Sequence, residues 1–248
     1  IIKLGYLTRD YPHKNLDILP KVAQTLKNEF GIKTQFFVTL TDDEWLAKSA
    51  FFRENVINFG SCSVEDCPSF YKSIDGGQTW NRTLFISENT GIAEVHMDPS
   101  NPSILYASAH QRRRREWTFI SGGPESGLYK SIDGGETWKE INGGLPQGYM
   151  GRVGMAISPA DPNVIYAIAE ARYGKKGFYR STNKGENWSK QSDYATSGNY
   201  YQEIFCDPKD VNKVFSMNTY LHHTEDGGKT FKRTGEKKKH VDNHVIWI

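Results

Sequence analysis

Cysteine is scarce in this 248-residue chain. Cys62, Cys67 and Cys206 can neither complete a disulfide framework nor give four thiolates to a structural zinc site, although the first two are near enough in sequence to pair. Long apolar runs are missing, which excludes a bilayer-spanning helix. So is an excess of either charge. With 31 Lys and Arg against 29 Asp and Glu the net charge is +2, and neither nucleic acid nor a membrane is expected as a partner. There is no low-complexity tract, and 13% aromatic with 37% hydrophobic residues suit a chain that folds. The opening IIKLGYLTRD has neither an initiator Met nor a signal-peptide pattern, so the chain reads as a processed or trimmed piece and its terminus does not reveal a compartment. One local concentration of charge stands out, the run QRRRREW from Gln111 to Trp117, which reads as a solvated loop or a site for acidic groups.

Two kinds of pattern share the chain. Up to Tyr71 the order is β-α-β-α-β. The strands are IIKLGYLT, KTQFFVTL and NVINFG. Between the first two, Leu16, Leu19, Ala23, Leu26 and Phe30 fall at helical spacing, with Asn15 or Asp17 to cap the start and Gly31 to end it. The second helix is expected over DDEWLAKSAFF, whose three acids sit where a helix N-terminus favours them. Such an order predicts parallel strands with right-handed crossovers. The stretch LTRDYPHKNLDILPKVAQTL resembles the donor-binding domain of group 1 glycosyltransferases of the two-Rossmann-domain kind. The resemblance implies that Arg9 and Lys14 stand where that family holds the donor diphosphate. It stops near residue 71, before the family's paired-glutamate motif and without its acceptor domain. The segment is therefore expected to be a remnant half-domain, not a working transferase.

From Lys72 a motif recurs as SIDGGQTW, SIDGGETW, STNKGENW and TEDGGKTF, starting at Ser73, Ser131, Ser181 and Thr224. A hydroxyl residue, an Asp or Asn, a Gly and a terminal aromatic describe a β-turn. The carboxylate or amide satisfies turn amides, the Gly takes positive φ, and the ring packs the turn onto its sheet. These roles fall to Asp75 and Trp80, Asp133 and Trp138, Asn183 and Trp188, and Asp226 and Phe231. A second hairpin pattern alternates with the first: EVHMDPSNPSILYA, GMAISPADPNVIYA and EIFCDPKDVNKVFS. Two hairpins per period give about four antiparallel strands, the composition of a propeller blade. The expected architecture is mainly β: an incomplete propeller of about four blades over residues 72–248, preceded by a small Rossmann-like segment over 1–71. Because an open ring leaves sheet faces uncovered, another subunit or a missing segment is expected to complete it.

The turn motifs resemble the Asp-box repeat, and the blocks QRRRREWTFISGGPESGLYKSIDGGETW, GRVGMAISPADPNVIYA and HVDNHVIWI resemble the sortilin-type propellers often labelled glycosyl hydrolases. The resemblance implies a secreted, periplasmic or cell-surface protein. Joined to the transferase-like segment, which would work in the cytoplasm, it also implies a chimera. Aligning the turns brings Arg152, Tyr201, Glu94 and Glu203, with Asn243, near the channel mouth, a set suited to a sugar or carboxylate ligand. HVDNH places His240, Asp242 and His244 on one side of an extended segment, residue types that suit a metal but without an evident further ligand. No cofactor is expected. No catalytic residue is assigned: a glycosidase needs two carboxylates at a defined separation or a Tyr with a Glu partner, a sialidase needs several arginines, and Arg152 with the loop run Arg112 to Arg115 is too little for either. The expectation is a non-catalytic module binding a protein, peptide or glycan. The alternatives are a propeller glycoside hydrolase acting on a polysaccharide and a glycosyltransferase remnant.

Overall fold

The computed structural model describes residues 2–6, 19–30, 34–38, 40, 42–58, 70–72, 81–235, 240–246 and 248. Arg9, Lys14, Cys62, Cys67 and the first turn motif with Asp75 and Trp80 lie outside them, as does Trp247. The chain divides into two compact units, Ile1–Cys67 and Pro68–Ile248.

In the first unit, β1 (Ile2–Tyr6), β2 (Thr34–Val38) and β3 (Val56–Asn58) form a parallel sheet in the order β1-β2-β3. Helix α1 (Leu19–Phe30) crosses between the first two strands. The second crossover was expected as one helix and is two, α2 (Asp42–Leu46) and α3 (Ala50–Asn55). Ser49 explains the break: its Oγ accepts from the Phe52 amide at 3.2 Å and caps a new helix start. Leu40, Phe52 and Val56 form a small core with Leu19, Val22, Ala23 and Trp45 against it.

The second unit is antiparallel throughout. A two-stranded sheet of β4 (Phe70–Lys72) and β5 (Asn81–Leu84) comes first. The next sheet has the order β10-β9-β7-β6, from β6 (Thr90–Asp98), β7 (Asn101–Arg115), β9 (Gly127–Ser131) and β10 (Lys139–Glu140), with β8 (Thr118–Ser121) paired to the far end of β7. Two plain four-strand meanders follow: β11 (Met150–Ile157), β12 (Ile165–Ala171), β13 (Gly177–Ser181) and β14 (Ser189–Ser192), then β15 (Ile204–Cys206), β16 (Val214–Ser216), β17 (His222–Thr224) and β18 (Lys232–Arg233). Three sheets in succession, each built on a four-strand meander, have the form of propeller blades. The expected fourth blade is not present as such among the described residues. Only the β4-β5 hairpin precedes the first full sheet, and 240–246 form no strand because the Asp242 and Asn243 amides donate to the carbonyls of Thr219 and Asn218 at 2.8 and 3.0 Å.

The middle sheet shows why these strands read as almost continuously apolar. Along β12, Ile165, Ala167 and Ala169 join a core with Tyr106, Leu128 and Ile141 of the sheet before. Their neighbours Tyr166 and Ile168 join a core with Ile204, Cys206 and Val214 of the sheet after. Period-2 alternation then divides the side chains between two covered faces instead of between core and water.

The turn motifs act as expected at their polar end. Gly135, Gly185 and Gly228 amides donate to Ser131, Ser181 and Thr224 hydroxyls at 2.8–2.9 Å, and those hydroxyls donate to Asp133, Asn183 and Asp226. Amides three or four residues on return to the same side chains at 2.9–3.0 Å. The terminal ring behaves differently from expectation, reaching across to the preceding sheet. Trp138 Nε1 is shared between its own turn, at the Gly135 carbonyl (3.2 Å), and Thr83 Oγ1 (3.3 Å), and Trp188 Nε1 donates to the Ile141 carbonyl at 2.8 Å. Phe231 stacks on Tyr194 at 3.7 Å and meets the edge of Phe178.

Candidate functional site

The first strands of the three sheets, β6, β11 and β15, lie side by side and line a cleft of about 850 Å³. Its walls are apolar, with Val95, Met97 and Phe205, and Val245 from the last residues contributes as well. The polar residues in it are Glu94, His96, Arg152 and Glu203.

Close approach of β11 to the third sheet is what brings these groups together. A Cβ on Gly154 would stand 1.7 Å from the Gln202 carbonyl oxygen, so the two backbones fit only with glycine there. Gln202, fully buried, donates from Nε2 to the Arg152 carbonyl at 3.1 Å and accepts from Thr196 Oγ1 at 2.7 Å. Arg152 is thereby placed between two sheets. Its Nη2 reaches Glu203 Oε1 at 2.7 Å and Glu94 Oε1 at 3.3 Å. One guanidinium nitrogen thus holds the two carboxylates within about 6 Å of each other.

The remaining oxygens are also engaged. Glu94 Oε2 accepts from the Met155 amide at 3.1 Å and lies 3.2 Å from His96 Nε2, and Glu203 Oε2 accepts from the Gln202 amide at 3.1 Å. Burial works to raise the Glu203 carboxyl, but the amides of Gln202 and Glu203 and the Arg152 charge outweigh it and hold the group below its usual range. Glu203 is therefore ionised at neutral pH.

The other residues singled out in the sequence have different surroundings. The Tyr201 hydroxyl donates to Asp242, and its ring stacks on His244 at 5.2 Å. That bond to a carboxylate keeps the phenol protonated, pushing its pKa up. Asn243 is buried and fastens the last residues, its Nδ2 donating to the Asn218 and Thr219 carbonyls at 3.0 and 3.1 Å. His244 Nε2 lies 3.3 Å from Asp242. Among the described residues, no three His, Cys, Asp or Glu side chains gather as metal ligands, so His240, Asp242 and His244 do not form such a set.

Two polar groups with buried atoms, one on half-buried Glu170 and one on buried His110, escaped sequence reasoning. Glu170 interrupts the apolar run IYAIAEA on the face that carries Tyr166 and Ile168, and that acid in a buried strand was the available signal. Its carboxyl lies against the backbones of Gly151 and Gly198, accepts the Arg152 amide, and keeps Oε2 buried without a hydrogen-bond partner; burial pushes its pKa up. His110 is buried, with Nε2 unpartnered, and burial together with Arg112 and Arg152 lowers it to about 4.

Fold and cleft together define a blade-built β protein with a carboxylate-guanidinium cluster across its first strands. No protein-family model matches the chain. It is 31% identical over 187 residues to the xyloglucanase Xgh74A of Acetivibrio thermocellus, which covers 63% of this chain and 21% of that protein. To a xyloglucanase of Hypocrea jecorina it is 32% identical over 129 residues, 50% of this chain and 14% of that one. The structure of the GH74 xyloglucanase from Xanthomonas campestris matches with a TM-score of 0.48 at 18% identity, over 68% of this chain and 27% of that one. The chain spans about a fifth of the length of the first of these relatives. These relatives are glycoside hydrolases, which overturns the expectation of a non-catalytic binding module. They lend no support to the transferase resemblance of residues 1–71 or to a chimera.

Proposed function

We propose that residues 68–248 are part of a propeller glycoside hydrolase acting on a polysaccharide of the xyloglucan class, and that the cleft along β6, β11 and β15 receives the glycan chain. The observation that carries this reading is the 31% identity over 187 residues with a xyloglucanase. The cleft chemistry supports it. Carboxylates accept hydrogen bonds from sugar hydroxyls, and a fixed guanidinium orients them. Glu94 and Glu203 each have lone pairs left after their present bonds, while the apolar walls suit the C–H faces of sugar rings. Arg152 sets the geometry and the two glutamates grip.

Affinity electrophoresis in a xyloglucan gel, paired with release of reducing ends from xyloglucan, tests the reading. The chain is expected to be retarded, and Glu203→Gln and Arg152→Ala to lose at least about tenfold of that affinity while staying folded. Unretarded migration with no reducing ends released would overturn it.

A further inference from the structure

The connection between the second and third strands of a sheet is short in two of the three sheets, Arg172–Lys176 after β12 and Met217–Leu221 after β16. In the first sheet it is an extended hairpin. Arg112, Arg113, Arg114 and Arg115, expected in a loop, continue β7 and pair with Ser121, Ile120, Phe119 and Thr118 of β8. Every residue from 112 to 120 is exposed.

Alternation along the strand sorts these arginines onto two faces. The guanidiniums of Arg112 and Arg114 lie 5.4 and 5.8 Å from the centre of the Phe119 ring. Arg113, on the other face, donates to Asn89 Oδ1 at 2.9 Å. Among the described residues, Arg112, Arg113 and Arg114 meet no carboxylate. Like charges about 7 Å apart along a strand repel one another, and a ladder left without counter-charge is stabilised when an anion arrives. Trp117 at the tip, 81% exposed, and Phe119 at 45% add flat apolar faces beside the charges. The hairpin is also anchored toward the cleft: Ser121 Oγ donates to Asn199 Oδ1 at 2.9 Å, on the loop that leads through Tyr201 to Glu203.

We infer that this hairpin binds an acidic polysaccharide, carboxylated or sulfated, with Arg112 and Arg114 taking the anionic groups and the aromatic rings taking sugar faces. The choice of a polysaccharide over other polyanions rests on the hydrolase reading and on charge density. Duplex DNA carries a charge about every 1.7 Å, which suits a strongly basic protein. At most one or a few charges per sugar are nearer the spacing of arginines on one strand face, and the whole chain carries only +2.

Calorimetry on the full chain tests this with an alginate oligosaccharide for carboxylate, dextran sulfate for sulfate, a neutral xyloglucan oligosaccharide and a thymidylate oligonucleotide. At least one acidic glycan is expected to bind, with affinity falling steeply between about 50 and 200 mM salt. The double variant R112Q/R114Q is expected to bind it at least about tenfold more weakly, at an unchanged melting temperature and with unchanged neutral-glycan binding. If neither acidic glycan binds, or the variant binds as well as the parent, the inference fails. Tighter binding of the oligonucleotide than of either glycan overturns it in favour of nucleic acid. Acidic-glycan binding that depends on Arg112 and Arg114 without xyloglucan binding upholds the hairpin site and counts against the hydrolase reading alone.

Discussion

The outer turns and the inner strands of the β unit follow opposite rules. At the turns the same chemistry repeats: a hydroxyl, an Asp or Asn, positive-φ glycine and a ring, with matching hydrogen bonds in the three described copies. Along the inner strands, positions that the turns align hold unlike residues, with Arg152 matched by Ile92 and Tyr201. Repetition here marks what holds the sheets together, and departure from it marks where polar chemistry collects. At the aligned position only the middle sheet has an arginine, Arg152, and it meets Glu94 and Glu203 of the sheets on either side.

If the turns carry the stability, removing a ring should have the largest effect. Trp188→Ala deletes a buried ring at the junction of two sheets and its bond to Ile141. It is expected to cost about 4 kcal/mol, lowering the melting temperature by about 10 °C in a thermal scan. A loss near zero would remove the distinction between the two regions.

The inner region is expected to reveal itself through pH. An unfolded imidazole takes up a proton below about pH 6.5, whereas folded His110 does so only near 4. Between those values the unfolded state binds more protons, so stability falls as pH falls, by about 3 kcal/mol over the full window. Glu203, held below its usual range, contributes in the same direction only under more acidic conditions, whereas Glu170, pushed up by burial, works in the opposite sense above its unfolded value; the difference between parent and variant is what isolates His110. Urea unfolding from pH 7 to 5 should show this slope in the parent and a flatter one in His110→Leu.

The smallest effect sharpens the comparison within the turns themselves. Lys184 has φ 55° where the other two motifs have Gly134 and Gly227 at 71° and 75°. Its ammonium meets the buried Asp98 carboxylate at 2.8 Å. Lys184→Gly and Lys184→Met both lose that pair, but only glycine relaxes the backbone. The glycine variant is therefore expected to be the more stable by about 1 kcal/mol in chemical denaturation. Equal stabilities would show that the ion pair alone decides this position.

Much of this organisation could be read from the chain, and the reasons differ from element to element. The turn motifs were legible because their hydrogen bonds are local, spanning two to four residues. So was the parallel order of β1, β2 and β3, through the alternation of helical and strand periods. The destination of Trp188 was not legible, since Ile141 lies 47 residues away and only packing joins them. The spacing DDEWLAKSAFF suggested one helix because Ser49 carries no sign in periodicity that it caps a second. Placement of Glu94, Arg152 and Glu203 near one another followed from aligning the turns. That one nitrogen would bridge both acids depended on Gly154 and Gln202, whose contact no pattern encodes.

The reach of each ring into the sheet before it gives tandem duplication a direction. A copied blade arrives carrying, in its own last turn, the rivet that fixes it to its predecessor. Such an array lengthens at its C-terminal side without asking anything new of the blades already in place. Trimmed from the other side, it leaves the first remaining ring with nothing to hold.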